Sequence, residues 1–367
     1  MASRGVAGDT GSPARRDQNP ARHDHHGADH RQGGDKPHPP GWGGIRAHRS
    51  TIALRFAARK PYGRVRPSRL AFIAVIATPF PRAAAVPAPD RRYVIGMTTQ
   101  ADKARQFLSR HRPGEPLLLP NPWDLGSARL LASLGFEALA TTSSGFAASL
   151  GRNDGSVSRD ETLVHSAVIV AATDLPVSAD LEHAFADEPA AVAETIRLAI
   201  EVGLAGGSVE DSTGREDDPI YDLRFAAERI AAAAQAAHAG PVPFVLTARA
   251  ENYLHGRPDL ADTIARLQAY QEAGADVLYA PGLRDISDIR RLIREVDRPV
   301  NVLAVGGAPP VPELAEAGAS RISVGGAFAF AALNALVSAP TELRDQGTYG
   351  YQAASSAGRQ AALRAFG

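Results

Sequence analysis

Short apolar runs and longer amphipathic stretches alternate along the chain from Met97 onward. The apolar runs are Pro116–Pro120, Glu137–Thr142, Pro176–Leu181, Gly206–Asp211, Pro243–Arg249, Ala275–Ala280, Val300–Val305 and Arg321–Gly325. Stretches of helical period follow them: Ser127–Leu134, Arg159–Ala172, Pro189–Val202, Leu223–Ala239, Leu260–Ala273, Asp285–Val296, Val311–Ala317 and Ala327–Val337, with a last one over Gln352–Phe366. A polar helical start at Met97 precedes the first run. Ser158 and Asp259 stand where N-caps belong, and Gly274 stands at a C′ position. Strict alternation of strand and helix implies parallel strands. Eight such units predict an α/β fold of the (β/α)8 TIM-barrel type over residues 97–367, closed by C-terminal helices. The rival doubly wound sheet needs a glycine-rich turn after its first strand. Here that turn reads Leu119-Pro120-Asn121-Pro122-Trp123-Asp124.

Residues 1–96 do not share this pattern. They hold 17 Lys and Arg against 6 Asp and no Glu, a net of +11, whereas residues 97–367 hold 23 Lys and Arg against 34 Asp and Glu, a net of −11. The first 50 residues show no period and are expected to be a disordered basic extension. Their histidines His23, His25, His26 and His30 are read as part of a solvated tail, with a metal site as the alternative. The apolar run Leu70–Thr78 after Arg64, Arg66 and Arg69 resembles a signal peptide but lies too deep in the chain, and it is too short to span a bilayer. The expectation is a dispensable leader or an over-extended gene start, and a cytoplasmic protein with neither nucleic acid nor membrane as partner.

The chain has no cysteine, which excludes disulfides, thiolate metal sites and a cysteine nucleophile or acid. Lys103 is the only lysine after residue 96 and precedes the first strand, so a Schiff-base lysine on an inner strand is excluded. No Gly-x-Ser-x-Gly elbow is present.

In a barrel of this kind the chemistry lies at the carboxyl ends of the strands. There the chain places Thr142-Ser143-Ser144-Gly145, Asp180-Leu181-Glu182-His183, Glu210-Asp211 and Arg249-Ala250-Glu251. If the third strand continued, Asp180 and Glu182 would share its lumen face. With Glu210 they form three anions that repel unless a cation neutralises them. Hard oxygen donors suit Mg²⁺ or Mn²⁺; the alternative is solvated carboxylates paired with Arg249. Arg249 reads as a fork for a substrate carboxylate or as a counter-ion. Backbone N–H groups at Ser144 and Gly145 offer an anion site. His183, Trp123 and Tyr279 are weaker candidates. The glycines of Val305-Gly306-Gly307 and Val324-Gly325-Gly326 fall where many barrels hold a phosphate, or they permit tight turns.

Over about residues 120–335 the chain resembles the isocitrate lyase / phosphoenolpyruvate mutase superfamily. The resemblance rests on Asn121-Pro-Trp-Asp with Ser127-Ala128, Thr142-Ser-Ser-Gly-Phe with the run to Asp154, Ser178-Ala-Asp180-Leu-Glu182, Gly207-Ser-Val-Glu210-Asp211 and Ala248-Arg249-Ala-Glu251. It implies a Mg²⁺-dependent barrel acting on small 2-oxo or 2-hydroxy dicarboxylates or phosphonates through an enolate-like intermediate. It places the metal on Asp180, Glu182 and Glu210, with Asp154 contributing through water. Catalytic roles fall on Arg249, Glu210 and Asp154. Substrate binding falls on Trp123, Ser144, Gly145, Arg249 and Glu251. The resemblance also implies a homotetramer that exchanges a helix between neighbours.

Isocitrate and methylisocitrate lyases share a Lys-Lys-Cys-Gly loop after the fourth strand, whose Cys is the general acid. Here that loop reads Asp211-Ser-Thr-Gly-Arg-Glu-Asp-Asp-Pro-Ile220, leaving His183 or Tyr221 as the substitute acids within reach. Phosphonomutases carry a His after the sixth strand, where this chain has Tyr279-Ala280-Pro281. The expected activity is a Mg²⁺-dependent lyase or decarboxylase of an oxaloacetate-like acid. The alternatives are phosphonate or phosphoenolpyruvate chemistry and a barrel that binds a metabolite without turnover.

Overall fold

The computed structural model describes residues 98–367. The expectations for residues 1–96 lie outside the described residues. Eight parallel strands run in the order β1-β8-β7-β6-β5-β4-β3-β2: β1 (Leu117–Leu119), β2 (Leu139–Ala140), β3 (Val177–Asp180), β4 (Gly206–Glu210), β5 (Val245–Arg249), β6 (Val277–Tyr279), β7 (Val300–Leu303) and β8 (Arg321–Ser323). Between β1 and β2 the seam is drawn together by the Ala140 N–H, which donates to the Pro120 carbonyl at 3.1 Å. The side chain of Asn121 adds to it: its amide donates to the Thr141 carbonyl, and its oxygen accepts from Val324 and Gly325.

Helices alternate with the strands: α1 (Gln100–Ser109), α2 (Leu125–Ser133), α3 (Ser143–Ser149), α4 (Arg159–Ala172), α5 (Pro189–Glu201), α6 (Leu223–His238), α7 (Leu260–Glu272), α8 (Ile286–Arg294), α9 (Val311–Glu316), α10 (Ala327–Gln346) and α11 (Gln352–Phe366). The expected N-caps hold. Ser158 accepts from the Glu161 N–H in a capping box, Asp259 accepts from the N–H groups of Ala261 and Asp262, and Gly274 has φ +105. Two elements differ from the sequence reading. The Thr142-Ser-Ser-Gly segment, read as the end of the second strand, is the start of α3, because the Thr142 hydroxyl accepts from the Gly145 N–H and serves as an N-cap. Helix α10 continues through Pro340 to Gln346 instead of stopping at Val337, and ends at Gly347 with φ +67.

Helix α1 closes the amino end of the barrel. Gln100 ties it down by donating to the carbonyls of Ile200 and Leu204. Phe107, fully buried, packs among Leu117, Leu119, Ala138, Ala140, Ala205, Val245 and Val277. Gly206 makes the room: a Cβ there would stand 3.0 Å from the Phe107 ring and 2.7 Å from the Val245 carbonyl. At the other extreme α10 buries only Ala329, and exposes Phe328, Phe330, Leu336 and Val337. No helix of the described residues is long and apolar enough to cross a membrane.

Phe107→Ala is expected to lower unfolding stability by about 3–5 kcal/mol through the cavity it leaves. Urea unfolding at unchanged slope checks this. A loss below about 1 kcal/mol would show that α1 is not part of the barrel's core.

Candidate active site

Strands β3, β4 and β5 end side by side in Asp180, Glu210 and Arg249, and the ladder sets Glu210 opposite Arg249. Each nitrogen of the Arg249 guanidinium meets a carboxylate. Nη1 lies 2.8 Å from Asp180 Oδ1, Nη2 lies 3.0 Å from Glu210 Oε2, and Nε lies 2.8 Å from Glu251 Oε1. The guanidinium carbon stands 5.4 Å from the centre of the Tyr279 ring. Arg249 therefore remains a cation, held well above its ordinary range by Glu251, Glu210 and Asp180 against the opposing effect of burial. Asp180 is itself fixed by backbone: its Oδ2 accepts from the Ser143 N–H at 3.2 Å.

Glu182 does not share a strand face with Asp180 as the spacing predicts. The strand ends at Asp180, and Glu182, Ala184 and Phe185 take positive φ of 49, 60 and 57°. Arg229 of α6 holds this turn. Although fully buried, it donates to the carbonyls of His183, Ala186, Asp187 and Glu210, and its guanidinium lies over the Tyr221 ring at 4.2 Å. Sequence reasoning missed Arg229, since an arginine on an amphipathic helix reads as part of the solvent face.

A cavity of about 190 Å³ opens at this end of the barrel, with Ser144, Asp154, Asp180, Arg249 and Tyr279 in its wall. A larger groove, about 630 Å³, lies at the amino ends of β1 and β2 and holds two ion pairs, Arg110 with Glu137 and Arg112 with Glu115. It has none of the convergent acids. Several sequence-predicted residues stand elsewhere. Trp123 lines a separate apolar groove with Phe146, Val164 and His165. Glu251, 3% exposed, pairs with Arg249 Nε and does not line the cavity. The Gly145 N–H is taken by the Thr142 hydroxyl and is not free for an anion. His183 lies in a surface patch with Phe185 and Arg159. The Tyr221 hydroxyl donates to Asp187 and is pushed up to about 12, first by burial and then by that bond. Neither His183 nor Tyr221, the alternative acids, lines the cavity. The Val324 and Gly325 N–H groups both donate to Asn121, which removes them from a phosphate site.

Among the described residues no three acidic or imidazole side chains stand ready-made around one point for a metal. The expected convergence is interrupted because the Arg249 guanidinium fills the interval between Asp180 and Glu210. The donor set nevertheless fits a hard divalent cation. Asp154, Asp180, Glu182 and Glu210 offer only oxygen, and the local charge is in excess of what Arg249 neutralises. Glu182 is pushed up to about 8 by burial and then by the charges of Asp180 and Asp154. Burial likewise raises Asp154, Glu210 and Glu251.

Comparison with known proteins gives this arrangement its context. Residues 107–344 match the family described as phosphoenolpyruvate phosphomutase. The chain belongs to the phosphoenolpyruvate phosphomutase family. A lyase/mutase candidate from Burkholderia cenocepacia J2315 has a crystal structure that aligns with a TM-score of 0.68 at 58% identity, over 70% of this chain and 92% of that one. The uncharacterised protein Rv1998c of Mycobacterium tuberculosis is 34% identical over 220 residues, 60% of this chain and 81% of its own length. The oxaloacetate decarboxylase of Chromohalobacter salexigens is 26% identical over 257 residues, 67% of this chain and 87% of its own. The family is one of enzymes, and this chain is an enzyme of it.

A carboxyl raised in the folded state costs stability wherever the unfolded chain is ionised and the folded one is not. In EDTA, the Glu182 contribution to stability is therefore expected to be full below 4.5 and to be lost as pH rises through about 8. Glu182→Gln should flatten that fall in a melting-temperature series. A metal-free protein whose stability rises across this window would contradict the excess of negative charge.

Proposed function

We propose that the protein is a Mg²⁺-dependent carbon–carbon lyase that decarboxylates a small, oxaloacetate-like 2-oxo dicarboxylate. The observation that carries the reading is the Arg249 fork, held among carboxylates in the wall of a cavity of about 190 Å³. Such a space suits a small acid, and a guanidinium recognises a carboxylate through paired N–H donors. Asp180, Glu182 and Glu210, with Asp154 through water, are the residues that would hold Mg²⁺ or Mn²⁺. The ion's contribution when bound is Lewis-acid stabilisation of negative charge developing on the substrate's keto oxygen.

The rest follows from the chain's own groups. Asp180 and Glu210 occupy two of the three Arg249 nitrogens; their engagement elsewhere leaves those donors for a substrate carboxylate, while Glu251 keeps Nε fixed. The Tyr279 ring backs the guanidinium, and its hydroxyl, pushed up to about 12 mainly by burial, keeps its proton at neutral pH. Loss of carbon dioxide needs no protein nucleophile and no acid at the bond that breaks. That suits a chain with no cysteine, whose Tyr221 is committed to Asp187. The commitment of the Val324 and Gly325 N–H groups to Asn121 counts against the phosphate-bearing alternatives. We also propose that the chain assembles as a homotetramer by exchange of helix α10, a reading supported by that helix's exposed Phe328, Phe330, Leu336 and Val337.

Pyruvate release from oxaloacetate should require added Mg²⁺ and stop in EDTA. Arg249→Lys should lower kcat/KM about 10²-fold, because an ammonium cannot reproduce the fork. A silent Arg249→Lys, or turnover indifferent to EDTA, would sink the proposal. Cleavage of isocitrate or methylisocitrate should be negligible, and robust glyoxylate release from isocitrate would refute the decarboxylase reading.

A further inference from the structure

Backbone strain is concentrated in one turn. Among the described residues, three positions other than glycine take positive φ, and all lie just after β3: Glu182 at 49°, Ala184 at 60° and Phe185 at 57°. The left-handed region crowds the Cβ of an L-residue, so three such residues in four positions persist only where the surroundings over-determine them. Here the surroundings are α5 and α6. Arg229, fully buried, donates through Nε to the Asp187 carbonyl at 3.1 Å and through Nη2 to the carbonyls of His183 and Ala186, the latter at 2.9 Å. Its Nη1 donates to the carbonyl of Glu210, the last residue of β4, at 3.1 Å. Thr195 of α5, also fully buried, donates its hydroxyl to the Ala184 carbonyl at 2.9 Å. Burying a guanidinium is costly. This one bonds no carboxylate among the described residues, and carbonyl oxygens of the two segments that carry Glu182 and Glu210 take up its charge. The strand has ended at Asp180, yet Glu182 still meets the charges of Asp180 and Asp154, so it is the turn that brings its carboxyl to the acidic mouth.

We propose that Arg229 is a positioning residue of the cation site: by holding the Glu182–Phe185 turn in its left-handed conformation and fixing it to the Glu210 backbone, it sets the affinity for a divalent metal without touching the ion. A relaxed turn would return Glu182 to extended or right-handed backbone and swing its carboxyl away from Asp180 and Asp154. The inference rests on the metal reading of this site for the identity of the ligand. Its own content is that the affinity depends on a strained turn governed from α6, through a side chain that lines no part of the cavity.

The test is titration of the metal-free full chain with Mn²⁺, read by paramagnetic resonance of the free ion, for the wild type, Arg229→Lys, Glu182→Gln and the double variant, well below every melting transition. A lysine keeps the charge but cannot reach carbonyls on three sides, so Arg229→Lys should weaken Mn²⁺ binding about 10- to 100-fold. Glu182→Gln should weaken it as well, and the two losses should not add, because both act through one carboxylate. An arginine that only stabilises the fold would lower the melting temperature of Arg229→Lys and leave the Mn²⁺ affinity as it was. That result, or losses that simply add, overturns the proposal. If Arg229→Lys does not fold, Thr195→Val takes its place by removing the tie to Ala184: a loss of about fivefold is expected, and an unchanged affinity overturns the proposal. A wild type that binds no Mn²⁺ removes the metal reading and the inference with it; a wild type that binds the ion while Arg229→Lys binds it equally removes the inference alone.

Discussion

The carboxyl mouth of the barrel depends on one interaction, the threefold pairing of Arg249 with Asp180, Glu210 and Glu251. Breaking one partner out of a buried pair leaves an uncompensated charge, which is worth several kcal/mol. The pairing therefore fixes the ends of β3, β4 and β5 relative to one another at the mouth of the cavity. It also leaves the mouth acidic, since one guanidinium cannot neutralise the carboxylates of Asp154, Asp180, Glu182, Glu210 and Glu251 together.

Other buried polar groups serve this arrangement from behind. Asp211, the residue after Glu210, turns away from the cavity. It accepts from the Tyr270 hydroxyl at 2.6 Å, from Arg266 at 3.1 Å and from the Glu251 N–H at 2.8 Å, which anchors the segment that carries Glu251. Arg229 does the same for the turn that carries Glu182. Asn121 joins the ends of β1, β2 and β8. Each of these side chains satisfies backbone or carboxylate groups that strand ends would otherwise leave unpaired inside the protein.

Much of this was legible in the sequence. The eight apolar runs match the eight strands because each parallel strand is buried on both faces and reads as a short continuous run. Asp180, Glu210 and Arg249 were found as strand ends, and strand ends are where this architecture gathers its polar groups. What escaped were the residues whose role depends on contacts distant in the chain. Arg229 and Arg321 bond groups up to 46 and 210 residues away, respectively, and no local period marks them. Trp123 lines a separate apolar groove for a related reason: the segment after β1 turns into α2, so closeness in sequence to the strand end does not by itself place a side chain in the cavity. Thr142 was read as a strand end because it closes the apolar run Glu137–Thr142, whereas β2 stops at Ala140 and Thr142 caps α3.

The central claim is that the acidic mouth organised by Arg249 is a site for one divalent cation. Titration of the metal-free protein with Mn²⁺, followed by the loss of the free ion's paramagnetic resonance signal, tests it most directly. The account predicts one tightly held ion per chain in the wild type and its loss in Asp180→Asn. Binding that is absent from the wild type, or unchanged in Asp180→Asn, would contradict it.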